Sequence, residues 1–443
     1  MTRLFGTDGV RGVANRDLTP DLALALGRAA GLVLAADGGR IVVGRDTRVS
    51  GPMLQGALTA GICSAGSHVL DAGILPTPGV AWLTRAEDAA AGAVISASHN
   101  PVPDNGIKFF SAVGTKVSGD EEAAIEALLV DGPGELPQGA AIGGVDPVED
   151  AVPRYVEHLT SSIEGSLAGS RIILDCAHGA AWRVGPEAFR AAGAEVVALH
   201  DTTDGARINV DCGSTSLDTL AKTVVSEGAS FGLGFDGDAD RALAVDETGS
   251  VVDGDRIIAL AALHLKERGA LDGGLVVTTV MANLGLRRAL EAAGIDVVTV
   301  PVGDRYVAQA MTEHGAVLGG EQSGHVIFSK HATTGDGVLT GLKLAEIVAG
   351  AGRPLSELAA VFEPYPQVLL NVPIANRSGL EGADEVWSRV REAEESLGDS
   401  GRVLLRPSGT EPLVRVMVEA EDAATAERVA RDLADLVATR LGA

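Results

Sequence analysis

Three polar segments, each placed directly after a short apolar run, contain the side chains best suited to chemistry. One offers a hydroxyl beside an imidazole, one offers three carboxylates, and one offers a carboxylate, a hydroxyl and an imidazole. Their residues are Ser98 and His99 in segment 96–101, Asp236, Asp238 and Asp240 in segment 236–241, and Glu321, Ser323 and His325 in segment 319–325. Open α/β sheets bind ligands beyond the carboxyl ends of their strands. We therefore expect the three segments to face one shared cleft.

The first segment places Ser98 where a buried strand is expected to give way to a helix. A helix N-terminus favours phosphate through its free N–H groups and its dipole, so a hydroxyl there could carry a phosphoryl group. The alternative is that Ser96, Ser98 and Asn100 merely cap that helix. His99 could serve as a base, although a turn histidine also fits this position.

The second segment carries three carboxylates at alternate positions, and such density is costly without a cation because like charges repel. Hard oxygen ligands suit Mg²⁺ or Ca²⁺. A calcium loop of the EF-hand type needs glycine at its sixth position, which is Arg241 here. The following residues 242–245 predict a strand rather than a helix. We therefore expect Mg²⁺, and a solvated acidic loop remains the alternative.

A fourth loop near the C-terminus combines guanidinium and hydroxyl groups around a glycine. Its residues are Arg406, Ser408, Gly409 and Thr410, with Arg415 on the next predicted strand. Such donors suit a phosphate dianion, and an ordinary hairpin turn is the alternative. Arg11, Lys108 and Arg241 add local positive charge. A phosphate anchor separate from a phosphoryl-carrying hydroxyl suggests a substrate that is phosphorylated at one end and reacts at the other.

Composition excludes several classes of protein. The formal net charge of −25 argues against broad binding to nucleic acid or to an anionic membrane. No apolar run approaches the roughly 20 residues that a membrane span needs. The first residues lack a basic-then-apolar signal pattern, so we expect a cytoplasmic protein. The three cysteines, Cys63, Cys176 and Cys212, show neither metal-ligand spacing nor a disulfide framework.

The 443 residues exceed what one ordinary core accommodates. Strand and helix patterns alternate in three successive copies, which is typical of parallel βαβ units. The order changes near residue 365 to a smaller α+β unit. We expect three similar mixed-sheet α/β domains and a smaller C-terminal α+β domain around a central cleft, with boundaries at 1–150, 151–253, 254–365 and 366–443.

The motifs together resemble the α-D-phosphohexomutase superfamily. They are FGTDGVRG, SASHNP, DGDADR, GEQSGH and RPSGTEPLVRVM, and they occur in the superfamily's order. The third-domain and N-terminal motifs are most similar to the branch whose substrates are glucosamine phosphates. One departure is Ser96, where many relatives have Thr, and it leaves the assignment of Ser98 intact.

The resemblance implies a role for each loop. Ser98 would be the phosphoserine that donates and recovers a phosphoryl group, and its phosphorylation would be required for activity. The three aspartates, with an oxygen of the phosphoserine, would hold one Mg²⁺. Glu321 and Ser323 would bind sugar hydroxyls. The fourth loop would clamp the non-reacting phosphate. Lys108, Arg11 and His325 would act in acid–base catalysis or stabilise charge. Further candidate site residues are Arg241, His99 and Arg305.

The implied reaction interconverts glucosamine 6-phosphate and glucosamine 1-phosphate through a 1,6-bisphosphate, for UDP-N-acetylglucosamine and cell-wall precursor synthesis. The expected partner is a small phosphosugar, and a homodimer is left open. Three alternatives remain: a mutase for glucose or mannose phosphates, a Mg²⁺-dependent phosphatase with an aspartate nucleophile, and a non-catalytic phosphosugar-binding regulator.

Overall fold

The computed structural model describes residues 4–375, 377–407 and 413–442, with the side chains of 377 and 378 excepted. Its strands form four sheets of six, five, four and three strands. Each sheet is built from one consecutive stretch of the chain. In the part of the chain so described, no helix is long and apolar enough to cross a membrane.

The first sheet has the strand order β1-β5-β4-β2-β3-β6. Strands β2, β3, β4 and β6 run parallel, whereas β5 is antiparallel to both β4 and β1. Strand β6 lies at the edge of the sheet, beside β3. The elements are β1 (Val10–Val13), α1 (Pro20–Leu34), β2 (Arg40–Arg45), α2 (Gly51–Ser64), β3 (His68–Ile74), α3 (Thr77–Ala86), β4 (Ala91–Ile95), β5 (Asp104–Ser111), α4 (Gly119–Asp131) and β6 (Val145–Pro147).

The second sheet, of order β11-β10-β9-β7-β8, repeats this plan with parallel strands β7, β8 and β9 and the antiparallel strand β10. Its elements are α5 (Ala151–Thr160), β7 (Arg171–Asp175), α6 (Ala181–Ala191), β8 (Glu195–Leu199), α7 (Asp218–Glu227), β9 (Phe231–Phe235), β10 (Ala242–Asp246) and β11 (Val251–Val252).

The third sheet, of order β13-β12-β14-β15, ends in the antiparallel pair β14 and β15. Its elements are α8 (Gly254–Glu267), β12 (Leu275–Thr279), α9 (Leu284–Ala292), β13 (Asp296–Val300), α10 (Asp304–His314), β14 (Leu318–Gly320), β15 (Val326–Phe328), α11 (Gly337–Ala351) and α12 (Leu355–Leu358). Short 3₁₀ turns cover Gly139–Ala141, Gly213–Thr215, Asp272–Gly274, Ala359–Val361, Arg377–Leu380 and Gly398–Ser400.

The C-terminal sheet is fully antiparallel, with the order β16-β18-β17. Helix α14 buries Val429, Leu433 and Val437 in the apolar core beneath this sheet, as its amphipathic spacing predicts. The elements are β16 (Gln367–Pro373), α13 (Asp384–Leu397), β17 (Gly401–Pro407), β18 (Leu413–Ala420) and α14 (Ala423–Leu441).

The three polar segments occupy equivalent positions in the first three sheets. Each joins the last parallel strand to its antiparallel partner: β4 to β5, β9 to β10, and β14 to β15. A large apolar cluster is shared among these sheets and includes Val42, Leu233 and Val276, whereas the C-terminal sheet has a core of its own. The first three loops are therefore positioned by one shared core.

The prediction of a helix after Ser98 is wrong. Residues 97–103 form turns that lead into β5, and Ser98 itself has a left-handed φ of +51°. Pro101 disfavours the helical conformation for Asn100, and Pro103 lacks the N–H that a helix interior needs. Ser98 therefore does not lie at a helix N-terminus, and its chemistry depends on the groups around its hydroxyl.

Candidate active site

The hydroxyl of Ser98 lies against the acidic loop of the second sheet. Its side-chain oxygen donates to Asp236 Oδ2 at 2.5 Å, and Ser98 is only 1% exposed. Its backbone N–H donates to Ser96 Oγ at 2.9 Å, which helps to hold the left-handed turn. His99 Nδ1 is 3.2 Å from Ser98 Oγ, and burial lowers the pKa of His99 to about 4. His99 is therefore a neutral neighbour of the hydroxyl at pH 7.

A buried arginine, which the sequence reasoning missed, holds the Ser98 turn in place. Arg48 follows β2, the neighbour of β4 in the sheet, and its side chain is fully buried. All five N–H donors of its guanidinium find acceptors: Asp46 Oδ2 (3.0 Å), Ser98 O (2.9 Å), Asn100 O (2.7 Å), Pro101 O (2.7 Å) and Asp104 O (2.9 Å). Four of these acceptors are main-chain carbonyls of the turn, so Arg48 fixes the path of its backbone.

The three aspartates form a buried cluster of oxygen atoms. Asp236, Asp238 and Asp240 are at most 5% exposed, and one carboxylate oxygen from each lies within 4.8 Å of the others. Burial and the two neighbouring carboxylates raise the pKa of Asp236 well above its usual range. The Oδ1 atoms of Asp238 and Asp240 are buried without a hydrogen-bond partner. Such a site, made of oxygen ligands with unsatisfied atoms, fits a hard divalent cation such as Mg²⁺.

Lys108 provides the nearest positive charge to this cluster. Its Nζ is 2.8 Å from Asp238 Oδ2 and 3.8 Å from Asp240 Oδ2, and Thr77 Oγ1 donates to the same Asp238 oxygen at 2.5 Å. Burial disfavours the ammonium, but Asp238 and Asp240 outweigh it and raise the pKa of Lys108. Lys108 is therefore cationic at neutral pH and balances part of the carboxylate charge.

Two arginines border the Ser98 turn and the acidic loop. Arg11 donates to Asn100 Oδ1 at 3.3 Å and pairs with Asp8, while Arg241 Nε lies 3.7 Å from Asp240 Oδ1. The Nε atoms of both arginines are buried without a hydrogen-bond partner. These unsatisfied donors suit an anionic ligand next to Ser98.

The third segment, residues 319–325, contacts the acidic loop through His325. His325 is 1% exposed, with Nδ1 3.6 Å from Asp240 Oδ2, and the backbone N–H of Gly335 donates to its Nε2 at 3.0 Å. Because a backbone N–H can only donate, Nε2 is an acceptor and the ring proton lies on Nδ1. Glu321 accepts from the N–H of Gly303 at 3.1 Å, and Ser323 Oγ is buried without a partner. Ser323 therefore retains its hydrogen-bonding capacity for a ligand.

Arg305 lies apart from this group. Its guanidinium pairs with Glu122 of α4 and donates to the carbonyl of Val117 at 3.3 Å, so it joins the first sheet's domain to helix α10. In the same interface Lys116 Nζ lies 2.6 Å from Asp304. The structure thus gives Arg305 an interdomain contact, and a role in binding substrate stays a prediction.

The fourth loop is described only at its two ends. Arg406 and Arg415 are paired directly across β17 and β18, and each has a buried Nε without a hydrogen-bond partner. Burial and the neighbouring Arg415 lower the pKa of Arg406. Ser408, Gly409 and Thr410 lie outside the described residues. Within the described part, the two arginines form no hydrogen bond or ion pair with the first three loops, so their convergence on Ser98 stays a prediction.

The chain forms four sheets, with a serine of the first beside an acidic loop of the second, and comparison with known families identifies this arrangement. The chain matches the phosphoglucomutase/phosphomannomutase family in four consecutive parts: alpha/beta/alpha domain I over 2–132, domain II over 153–249, domain III over 253–365 and the C-terminal domain over 369–436. The chain belongs to this family, and the resemblance inferred from the motifs is confirmed.

Full-length relatives narrow the comparison. The chain is 54% identical over 433 residues to the phosphoglucosamine mutase of Moorella thermoacetica, covering 97% of this chain and 98% of that one. It is 54% identical to the phosphoglucosamine mutase of Streptomyces coelicolor, with both chains fully covered. A solved phosphoglucomutase/phosphomannomutase family protein from Burkholderia thailandensis superposes with a TM-score of 0.84 at 27% identity, covering 99% and 98% of the two chains. The expected α/β fold is thereby confirmed.

Proposed function

We propose that this chain is an isomerase that interconverts glucosamine 6-phosphate and glucosamine 1-phosphate by way of glucosamine 1,6-bisphosphate. The observation that carries the proposal is the 2.5 Å contact between Ser98 Oγ and Asp236 Oδ2, inside a buried group of three carboxylates and Lys108. Full-length identity of 54% to phosphoglucosamine mutases supports the amino-sugar substrate. The product would feed UDP-N-acetylglucosamine and cell-wall precursor synthesis.

In the forward direction, phosphorylated Ser98 transfers its phosphoryl group to the 1-hydroxyl of glucosamine 6-phosphate. The bond between Ser98 Oγ and phosphorus breaks, a bond from phosphorus to the sugar oxygen forms, and overall the proton of the sugar hydroxyl passes to Ser98 Oγ. Lys108 and Arg241 place positive charge beside the transferring group, whose negative charge spreads over several oxygens in the transition state. Mg²⁺ bound by Asp236, Asp238 and Asp240 would supply further charge neutralisation at this position.

The bisphosphate must then turn end for end, so that its 6-phosphate returns to Ser98 Oγ and glucosamine 1-phosphate leaves. Arg406 and Arg415 hold the phosphate that is not reacting, first at carbon 6 and then at carbon 1. Glu321 and Ser323 bind the sugar hydroxyls in both orientations. Approach of the C-terminal domain would exclude water, which otherwise hydrolyses the phosphoserine.

The alternatives predict different products. A glucose or mannose phosphate mutase shares every group named above and differs only in the sugar that it prefers. A phosphatase would use an aspartate as nucleophile and release inorganic phosphate. A non-catalytic regulator would bind phosphosugar without turnover. The cytoplasmic location, the homodimer and the lack of nucleic-acid or membrane binding stay predictions.

Side-by-side kinetics decide between these functions. Phosphorylated protein with Mg²⁺ is assayed with the 1-phosphates of glucosamine, glucose and mannose, and inorganic phosphate is measured in each reaction. We expect the highest kcat/KM on the glucosamine ester and mutase turnover far faster than phosphate release. A clear preference for glucose or mannose phosphate, or phosphate release that keeps pace with turnover, would overturn the proposal.

A further inference from the structure

A second group of metal-ligating side chains lies in the second domain, outside the site described above. Asp175 ends β7, His200 follows β8, and Cys212 lies in the loop before α7. One ligand atom from each of the three lies within 4.8 Å of the others. The residues are far apart in sequence and only the fold brings them together, which explains why cysteine spacing gave no sign of them.

The group already resembles part of a coordination shell. Asp175 Oδ1 and His200 Nδ1 are 3.0 Å apart, close to the edge of about 3.3 Å between two ligands of a tetrahedral Zn²⁺ with bonds of about 2.0 Å. The same Oδ1 accepts the backbone N–H of Ala177 at 3.0 Å, which orients the carboxylate. Asp175 is fully buried, yet its Oδ2 has no hydrogen-bond partner. A buried carboxylate oxygen left without a donor calls for a cation.

Other functions for Cys212 fit less well. Burial raises the pKa of its thiol to about 12, so in the absence of a cation it is neither a reactive nucleophile nor a redox sensor. All three cysteines are free. The thiol of Cys212 makes a weak hydrogen bond from Sγ to the carbonyl of Arg207 at 3.9 Å, and the backbone N–H of Asn209 donates to the sulfur. The contact with Arg207 uses the thiol proton, which a metal would replace, and an N–H donor is compatible with a metal-bound thiolate.

A further unpartnered nitrogen lies beside the group. His178 is 5% exposed, its Nε2 has no hydrogen-bond partner, and its ring packs edge-on against that of His200 with centroids 5.0 Å apart. Zn²⁺ prefers sulfur and nitrogen ligands, unlike the oxygen-only triad of the active site.

We propose that Asp175, His200 and Cys212 form a second metal site that takes a borderline-soft divalent ion of the Zn²⁺ type, with water as the fourth ligand. Binding replaces the proton on His200 Nδ1, which moves to Nε2, and releases the thiol proton of Cys212 to solvent. Three ligands and a water match the composition of an open zinc site.

The bound ion would stabilise loops of the second domain that contact the Ser98 turn and the acidic loop. Asn209, three residues before Cys212, donates to the carbonyl of Ser98 at 2.9 Å. Ala180, after β7, donates to the carbonyl of Gly237 in the acidic loop at 2.8 Å. The metal would therefore hold two loops that contact both halves of the candidate active site, and its expected effect is on stability rather than on the reacting atoms.

Cobalt spectroscopy tests the site directly, because this site supplies a sulfur ligand and the aspartate triad supplies oxygen alone. Full-length protein is stripped with a chelator, saturated with Mg²⁺ to occupy the oxygen triad, and titrated with Co²⁺. We expect a thiolate-to-cobalt charge-transfer band in the near ultraviolet that saturates at one equivalent and is displaced by Zn²⁺. The band should vanish in Cys212→Ser and persist in the matched control Cys63→Ser.

A second variant covers the case in which Cys212→Ser fails to fold. His200 keeps 22% of its side chain exposed, so His200→Asn should fold, and it should weaken the Kd for Co²⁺ at least about tenfold. Absence of the charge-transfer band in the wild-type protein, or an undiminished band in folded Cys212→Ser, would overturn the proposal. Both outcomes are read from cobalt spectra of Mg²⁺-saturated protein without turnover, so this proposal and the proposed function fail independently.

Discussion

Arg406 stands directly opposite Arg415 in the antiparallel ladder of β17 and β18. Like charges facing each other across a sheet are destabilising, and each guanidinium here has a buried Nε without a partner. Burial also disfavours the charged form of Arg406, and burial and the neighbouring Arg415 together lower its pKa. This pair of arginines lowers the stability of the ligand-free protein, and a bound anion would relieve the repulsion between the two charges.

Removal of one of these charges should therefore weaken binding without weakening the fold. Arg406→Met is expected to raise KM for glucosamine 1-phosphate about 10- to 100-fold, since hydrogen bonds to charged groups contribute about 1.5–3 kcal/mol. Its melting temperature should equal or exceed that of the wild type. Steady-state kinetics and thermal unfolding, with exposed Arg431→Met as the control, measure both effects. An unchanged KM would remove Arg406 from the phosphate site.

Replacement of Arg48 should show whether this residue positions the Ser98 turn for catalysis or contributes to substrate binding. Lysine keeps the charge but offers a single nitrogen, which cannot reach the four turn carbonyls and Asp46 together. Arg48→Lys is expected to lower kcat by about tenfold or more, with a much smaller change in KM, and to lower the melting temperature. Arg45→Lys is the matched control, because Arg45 donates to Gln55 and to the carbonyl of Asp46 instead. Equal losses in the two variants would contradict a specific role for Arg48.

Metal removal should destabilise the protein as well as inactivate it. The three buried carboxylates repel one another without a cation, and Mg²⁺ at a hundredfold excess over its Kd should stabilise the fold by about 2.7 kcal/mol. Asp236→Asn should abolish this gain, yet be at least as stable as the metal-free wild type. Thermal unfolding with and without Mg²⁺ checks both statements. Exposed Asp272→Asn serves as the control and should keep the full Mg²⁺ response.

A buried aspartate between the third and fourth domains should make stability depend on pH. Burial raises the pKa of Asp255 to about 8, although its Oδ2 accepts the N–H of Asn283 at 2.7 Å. Between the ordinary carboxyl pKa and about pH 8 the folded chain therefore keeps a proton that the unfolded chain has released, so stability falls as pH rises toward 8 and levels off above it. Asp255→Asn should flatten this fall by up to about 1.4 kcal/mol per pH unit between pH 6 and 8.

Urea unfolding at pH 6, 7 and 8 in saturating Mg²⁺ measures the difference between the two proteins. Asp253→Asn is the matched control, because Asp253 caps α8 through the N–H of Arg256 and asparagine caps equally well. Parallel pH profiles for wild type and Asp255→Asn would show that this carboxyl titrates normally.

The elements were predictable because strand and helix differ in hydrophobic period. The alternation of strand and helix patterns predicted the order strand, helix, strand that β7, α6 and β8 follow. The turn after Ser98 was mispredicted, since capping residues such as Ser96 and Asn100 suit a helix and a turn equally. Tertiary contacts decided the outcome: Arg48 holds the turn from the loop after β2.

The candidate site was predictable where several reactive or metal-ligating side chains lie close together in the sequence. Three aspartates within five residues indicate a cation in any fold that buries them. Arg48 was missed because its role comes from five acceptors spread over the turn and its neighbours, and a lone arginine carries no such signal. The group of Asp175, His200 and Cys212 was missed for the same reason: its members meet only after folding.

The central claim is that Ser98 Oγ carries the phosphoryl group through the reaction. The most direct measurement mixes phosphorylated protein with glucosamine 6-phosphate in a single turnover and follows the Ser98 peptide by mass spectrometry. We predict that Ser98 loses its phosphoryl group mole for mole as glucosamine 1,6-bisphosphate appears, and that Ser98→Ala forms no glucosamine 1-phosphate. Product formation with Ser98 unmodified throughout, or undiminished activity in Ser98→Ala, would contradict it.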